Sequence, residues 1–307
     1  MTVAYIKNKN IDKKKWDCCI NNAANKLIYA QSFFLDIMAV NWDGIVLGDY
    51  EAIMPLTWKS KWGIRYLYQP AFLQQGGIFF KIALNDETIQ QFFKIVLTSF
   101  KFAEVTGNYL NASLQQLPFL KTNSCNNFII NLKQSYAAIY TNYSFSCKKS
   151  LKRIKKFRLQ YQLSDDFASI IQLYKKLYGK RLPHILNRDY TNFKKLCIGL
   201  TPQQNLITRQ VYTAKDELLC AVILLKDDNR LYNIISCITD AGKKLEANYF
   251  LYDHIFQEFS EQELIFDFEG SDITGIANFY SKFNPENQPY LFIKYNNLNP
   301  FFKLFKQ

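Results

Sequence analysis

From residue 205 onward the chain carries secondary-structure signals in an order that few folds accommodate. Leu206 to Thr213, Glu217 to Leu225 and Arg230 to Ile238 are apolar, β-branched runs, with Lys215-Asp216 and Asp227-Asp228-Asn229 between them as turn residues. Connections this short make an antiparallel meander the natural arrangement of three consecutive strands. A helix from Lys244 to Phe259 comes next, then a strand Leu264 to Phe268, a short helix Thr274 to Phe283 and a last strand Tyr290 to Lys294. The order β-β-β-α-β-α-β predicts a mixed α/β domain.

The first half shows a looser version of the same order. Trp16, Cys19, Ile20, Ala23 and Leu27 recur at helical spacing from Lys13 to about Lys26, with Asp12 placed to cap. Strands follow at Ile45 to Leu47, Tyr50 to Trp58, Arg65 to Tyr68 and Ile78 to Phe80, the first two joined by a tight turn at Gly48-Asp49. Asn85 to Phe102 reads as an amphipathic helix with Ile89, Phe92, Phe93, Val96, Leu97 and Phe100 on one side. Strands near Ala103 to Thr106 and Phe128 to Asn131 close this half. Asn142 to Arg158 then crowds Lys148, Lys149, Lys152, Arg153, Lys155, Lys156 and Arg158 into one predicted helix, followed by a second amphipathic helix from Phe167 to Gly179. A chain of 307 residues, 49% hydrophobic, suits two domains, and the basic segment sets their expected bounds at 1–141 and 142–307.

The C-terminal order resembles the GNAT acyltransferase core, whose mixed sheet splits between its fourth and fifth strands to admit an acyl donor. Local text extends the likeness. Phe266-Asp267-Phe268-Glu269-Gly270-Ser271, then Gly275, Phe279, Tyr280, Lys282 and Phe283, is similar to the strand, loop and helix segment of the FemAB/FemX-like aminoacyltransferases. Asn142 to Lys156 resembles the basic helix that follows the first domain in that family. Asp49 to Leu56, Tyr68-Gln69-Pro70 and Gln74-Gln75 resemble its first half. The resemblance implies an α/β fold of two tandem GNAT-like domains and an N-acyltransferase acting on an amine. It also implies a tRNA partner or a peptidoglycan or other cell-envelope precursor as acceptor, seated between the halves. Two departures bear on the donor. Thr239-Asp240-Ala241-Gly242-Lys243-Lys244 holds one glycine and an acid where acetyl-CoA enzymes carry a glycine-rich pyrophosphate loop. Tyr280 stands where the family has a lysine, with Lys282 two residues on. No cofactor is firmly implied, and aminoacyl-tRNA and acyl-CoA both stand as donors.

Acyl transfer to an amine requires a base for the amine proton and donors for the carbonyl oxyanion. Strand alternation would put Asp267 and Glu269 on one face, opposite Phe266 and Phe268, making Glu269 the candidate base and Asp267 a substrate contact. Ser271 offers a hydroxyl for the carbonyl, though Gly-Ser-Asp is also helix-capping text. If the segment follows the family, Tyr280 and Lys282 are oxyanion donors or leaving-group acids. Gln69, Gln74 and Gln75 either line an acceptor cleft or are ordinary loop polarity. The lysines and arginine from Lys148 to Lys156 either bind a polyanion or form a solvated helix face.

The formal charge of +12 favours anionic partners in general, while a richness in Lys, Asn, Ile, Phe and Tyr supplies part of it without any partner. Seven cysteines without a CxxC pair and only two histidines predict reduced, buried thiols and no metal site. No apolar run approaches the roughly 20 residues of a membrane span. The first residues lack a signal peptide's apolar region, so a cytoplasmic protein is expected.

Overall fold

The computed structural model describes residues 1–270 and 272–299. Its strands begin with β1 (Val3–Ile6), β2 (Asn41–Leu47), β3 (Ala52–Lys61), β4 (Ile64–Tyr68), β5 (Phe79–Phe80), β6 (Phe102–Thr106), β7 (Lys121–Cys125) and β8 (Phe128–Asn131). They continue with β9 (Gln160–Leu163), β10 (Leu206–Tyr212), β11 (Leu218–Lys226), β12 (Arg230–Ile238), β13 (Ile265–Asp267), β14 (Glu286–Asn287) and β15 (Tyr290–Asn296). The first helices are α1 (Lys13–Asn21), α2 (Ser32–Met38), α3 (Asp86–Ser99), α4 (Tyr136–Asn142) and α5 (Phe145–Ile154). After them come α6 (Phe167–Tyr178), α7 (Asn187–Leu200), α8 (Asp240–Lys244), α9 (Ala247–Phe259) and α10 (Thr274–Tyr280).

Two units result, one of Met1–Cys125 joined by residues 289–299, the other of Asn126–Gln288. In the first, β1 to β4 form an antiparallel meander, β6 joins β4 in parallel, and β15 lies antiparallel between β6 and β7. Asn85 caps α3 by accepting from the Thr88 amide, and the helix lays Phe92, Phe93 and Val96 on the core that Ile45, Met54 and Leu56 supply. In the second, the sheet runs β14-β8-β13-β12-β11-β10-β9, with β12 and β13 parallel and the other pairs antiparallel. α9 is apolar nearly all round and buries Leu251, Tyr252, Ile255, Phe256 and Phe259 against this sheet.

The expected bounds of 1–141 and 142–307 differ from these units at both ends. β8 belongs to the second sheet, and β15 returns to the first. The strand at 290 is where its pattern predicts it, with Leu291, Ile293 and Tyr295 buried alternately. Period-two alternation fixes which face of a strand is buried but carries nothing about which sheet offers it an edge.

Two predicted helices begin later than their patterns suggest. Tyr143 is extended, and Ser144 starts α5 by accepting from the Cys147 amide, so the basic run is a separate short helix after α4. Glu246 sits in the left-handed region at φ 57°, which parts α8 from α9. All seven cysteines are free thiols, five of them buried. Among the described residues no helix is long and apolar enough to cross a membrane.

Candidate functional site

β12 and β13 pair in parallel only through Arg230–Ile265, Leu231–Phe266 and Tyr232–Asp267, although β12 runs on to Ile238. Among the described residues no strand lies beside one edge of β12 beyond Tyr232, and the sheet is open there. A bulge widens the change of course. Ile223 pairs with Ile235 and Leu225 with Tyr232, so Asn233 and Ile234 together oppose the single residue Leu224. Strict alternation would send Asn233 and Ser236 to opposite faces; the extra residue brings both to Tyr252 of α9. Asn233 Nδ2 donates to the Tyr252 hydroxyl at 2.9 Å, and Tyr252 donates to Ser236 Oγ at 3.0 Å.

Tyr280, buried at the end of α10, adds its hydroxyl to that of Tyr252. Burial pushes the Tyr280 proton well above the usual tyrosine range, and the Tyr252 hydroxyl and the Glu269 charge add to it. Tyr252 itself is pushed up to about 12, again by burial first. Both phenols are therefore neutral hydrogen-bond donors and not bases at neutral pH. Rings close the cluster: Phe268 lies 4.3 Å from Tyr280 and 5.4 Å from Tyr252 between centroids. On the Cys237 side of β12, Tyr178 of α6 accepts from the Ile238 amide at 3.3 Å, which satisfies an edge group that the opening would strand.

The chemistry-bearing residues expected from sequence fare differently. The Glu269 charge acts on the Tyr280 hydroxyl, so the two share one electrostatic neighbourhood. Asp267 is not beside them as a substrate contact; it is 0% exposed and forms an ion pair with Arg230, itself 2% exposed. It also accepts from Asn127 Nδ2 at 3.2 Å and from the Glu269 amide at 2.8 Å. Glu269 and Gly270 take positive φ, 64° and 60°, so the strand ends at Asp267 and the shared face expected for Asp267 and Glu269 does not exist. Lys282 lies on the single 3-10 turn Ser281–Phe283, half-buried, its carbonyl accepting from the Ser144 amide. Ser271 lies outside the described residues.

In the first unit the three glutamines brace a loop. Gln69 Oε1 accepts from the Thr106 amide while its Nε2 donates to the carbonyls of Leu73 and Gln74. Gln75, fully buried, accepts from the Tyr109 amide and donates to Gln74 Oε1. Their polarity satisfies backbone groups beside β6.

The loop from Thr239 to Lys244 is braced by the chain's own groups. Thr239 caps α8 and takes the Gly242 amide at 3.0 Å, and Lys243 pairs with Asp240 at 2.8 Å. At the start of α9, Arg153 and Ser150 of α5 hold the Glu246 carboxylate, so the Arg153 cation is engaged within the chain. Gly242 is there because a Cβ would stand 2.2 Å from the Leu219 carbonyl oxygen. Gly242→Ala is expected to cost about 1–3 kcal/mol by overpacking, read as a lowered urea midpoint; an unchanged midpoint would show that the loop yields freely.

Of the six cations expected to bind nucleic acid, Lys148, Lys149, Lys152 and Lys155 line a groove of about 780 Å³ with residues of α4 and α9. Arg153 is engaged by Glu246, and Lys156 lies over the Phe157 ring at 5.0 Å, so neither lines the groove. Sequence reasoning missed Asn233, Ser236 and Tyr252. The signal was present: Asn233 and Ser236 are polar residues interrupting an otherwise apolar strand, although their spacing of three hides the shared face.

Residues 146–279 match the family model of the acetyltransferase (GNAT) domain. The chain is similar to FemX at 11% identity and a TM-score of 0.69, over 100% of both chains. It is similar to a conserved protein of unknown function from Bacteroides thetaiotaomicron VPI-5482 at 9% and 0.62, over 94% of this chain and 99% of that one. L-PGS from Bacillus licheniformis aligns at 8% and 0.54, over 96% and 95%. No curated protein sequence matches. The resemblance to FemAB/FemX-like proteins carried by the sequence is thus borne out in the fold.

Proposed function

We propose that this chain, a tandem of GNAT-like domains of acyltransferase type, transfers an aminoacyl or related acyl group from an ester donor to an amine at the opening between β12 and β13. The observation that carries the reading is the directed hydroxyl chain at that opening. Tyr280 and Asn233 both bond to the Tyr252 hydroxyl, and Tyr252 donates to Ser236, which keeps its own proton to donate. Each bond polarises the next, so Ser236 is a strengthened donor for an acyl carbonyl oxygen. The amine nitrogen attacks the carbonyl carbon and the new C–N bond places charge on that oxygen, which Ser236 stabilises. Glu269, whose charge acts on Tyr280, takes the proton from the attacking nitrogen; collapse of the intermediate breaks the ester C–O bond, and the departing oxygen takes up the proton that Glu269 accepted. The single glycine and the acid in the loop from Thr239 to Lys244 weigh against acyl-CoA as donor.

Incubation with aminoacyl-tRNA or with acetyl-CoA, each beside a panel of amine acceptors including peptidoglycan precursors, tests this by mass spectrometry. The expected result is an amide product from the aminoacyl ester and none from acetyl-CoA. Transfer from acetyl-CoA overturns the donor assignment. Aminoacyl-tRNA bound without transfer to any amine points instead to a binding protein that keeps the fold.

A further inference from the structure

The two-residue turn between β3 and β4 is occupied against its own conformational preference. Trp62 and Gly63 both take positive φ, 52° and 74°, the geometry of a tight hairpin turn whose first position favours Asn, Asp or Gly. A bulky aromatic residue in the left-handed region is strained, and burial does not offset the strain, because Trp62 is 65% exposed. A Cβ added at Gly63 would meet nothing within 4 Å, so the turn reaches into open space. Neither the turn nor the core accounts for the indole.

The strands that carry the turn divide their residues by face. On one face Arg65 pairs with Asp43 at 3.0 Å, and its guanidinium lies over the Trp58 and Phe100 rings at 4.3 and 4.8 Å. The other face sets Lys59 opposite Tyr66 and Lys61 opposite Ile64. Lys61 Nζ stands 4.6 Å from the Trp62 ring centroid, and Lys59 Nζ stands 3.8 Å from that of Tyr68. The carboxylates on the neighbouring strands β2 and β6, Asp43 and Glu104, are paired with Arg65 and Lys294, so the hairpin keeps its positive charge. Protein interfaces favour tryptophan but are depleted in lysine. A single-stranded nucleic acid needs a succession of open rings along a positive groove. Here Lys59 covers Tyr68, Tyr66 meets Phe102 edge-on at 6.5 Å, and Trp62 alone stands at the tip. An anionic lipid surface takes the whole set: an indole settles at the headgroup level, and lysine stems lie along it with their ammonium groups on the phosphates.

We propose that the hairpin of β3 and β4 docks this chain on an anionic lipid surface, with Trp62 seated at the headgroup level and Lys59 and Lys61 against the lipid phosphates. The inference goes beyond acyl transfer and does not depend on it, since binding is measured in the absence of any donor or acceptor.

Sedimentation of the full chain with vesicles of phosphatidylcholine, alone or mixed with phosphatidylglycerol, tests it. Binding is expected to the mixed vesicles and should fall as salt is raised. Trp62→Asn should weaken it by about tenfold or more, the scale of taking one aromatic side chain out of an apolar contact. The same variant should leave the melting temperature unchanged or raised, because Asn suits the turn; a tryptophan with a structural role would give the opposite. Lys59→Gln with Lys61→Gln should weaken binding by roughly fivefold per lysine. Lys149→Gln with Lys152→Gln removes as much charge from exposed positions of α5, and it should change the affinity by less than about twofold if the hairpin is the docking element. An equal loss from both lysine pairs would assign the binding to net charge and overturn the proposal. So would an unchanged affinity for Trp62→Asn, no binding to the mixed vesicles, or Trp62-dependent binding of a single-stranded oligonucleotide without binding to vesicles.

Discussion

Asp267→Ala is expected to lower the stability of the second unit by about 3–5 kcal/mol, the cost of leaving a buried charge without its partner. Arg230 and Asp267 are both shut away from water, and removal of the carboxylate strands the guanidinium inside the sheet where β12 and β13 pair. Urea unfolding followed by tyrosine fluorescence measures the loss. The exposed pair of Lys13 and Asp36, at 2.6 Å, is the contrast, since its disruption is expected to cost less than about 1 kcal/mol. Joint replacement by apolar residues, Arg230→Met with Asp267→Leu, should recover much of the loss, because two desolvated charges leave together. A loss below about 1 kcal/mol for Asp267→Ala would mean that water reaches the pair. The variant should also free the Glu269 amide from Asp267 Oδ1, so the positive-φ turn that presents Glu269 loses its anchor.

Ser236→Ala should reduce acyl transfer by about 100- to 1000-fold, the range seen when one oxyanion donor is removed. The hydroxyl is half-buried and makes one bond to Tyr252, so thermal stability should change by no more than about 1 kcal/mol. Tyr252→Phe acts one step further from the reacting atoms, and its loss should be smaller. Ser236→Thr keeps the donor and should keep most of the activity. The measurement is single-turnover transfer with the donor that the assay identifies, beside a melting curve for each variant. Transfer within threefold of the unaltered chain for Ser236→Ala would remove this hydroxyl from the reaction.

The second unit was the more legible half, and for a definite reason. β12 was read at its observed bounds, and β10 and β11 within a residue or so at each end, because long apolar runs between Asp, Asn and Lys turns have one local solution. β7 has no such run. Its sequence, Lys-Thr-Asn-Ser-Cys, is polar, and it is a strand only because β15 supplies hydrogen-bond partners. α7 was missed although Tyr190, Phe193, Leu196, Cys197 and Leu200 are buried at helical spacing, since Asn, Arg, Asp and Thr crowd its first turn.

For the site, composition named candidates and geometry sorted them. Glu269 and Tyr280 were recognisable as chemistry-bearing residues, and the charge of the first acts on the hydroxyl of the second. Asp267 looked equally reactive in the sequence, but a carboxylate two residues from another says nothing about which will be buried; Arg230, thirty-seven positions away, decided it. Asn233 and Ser236 acquire a common partner through one extra residue in β12, and no rule of alternation predicts where a bulge will fall.

The sequence by itself determined the order of strands and helices in the second half, the apolar faces that make them pack, and the run of cations on α5. These are local properties, set by the side-chain period and by turn chemistry within a few residues. Only the tertiary structure decided that the last strand serves the first sheet, that β12 and β13 part after three residues, and that Glu246 engages Arg153 of α5. Those outcomes depend on residues far apart in the chain competing for the same edges and the same backbone amides. That competition is settled by the free energy of the whole fold and not by any segment of it.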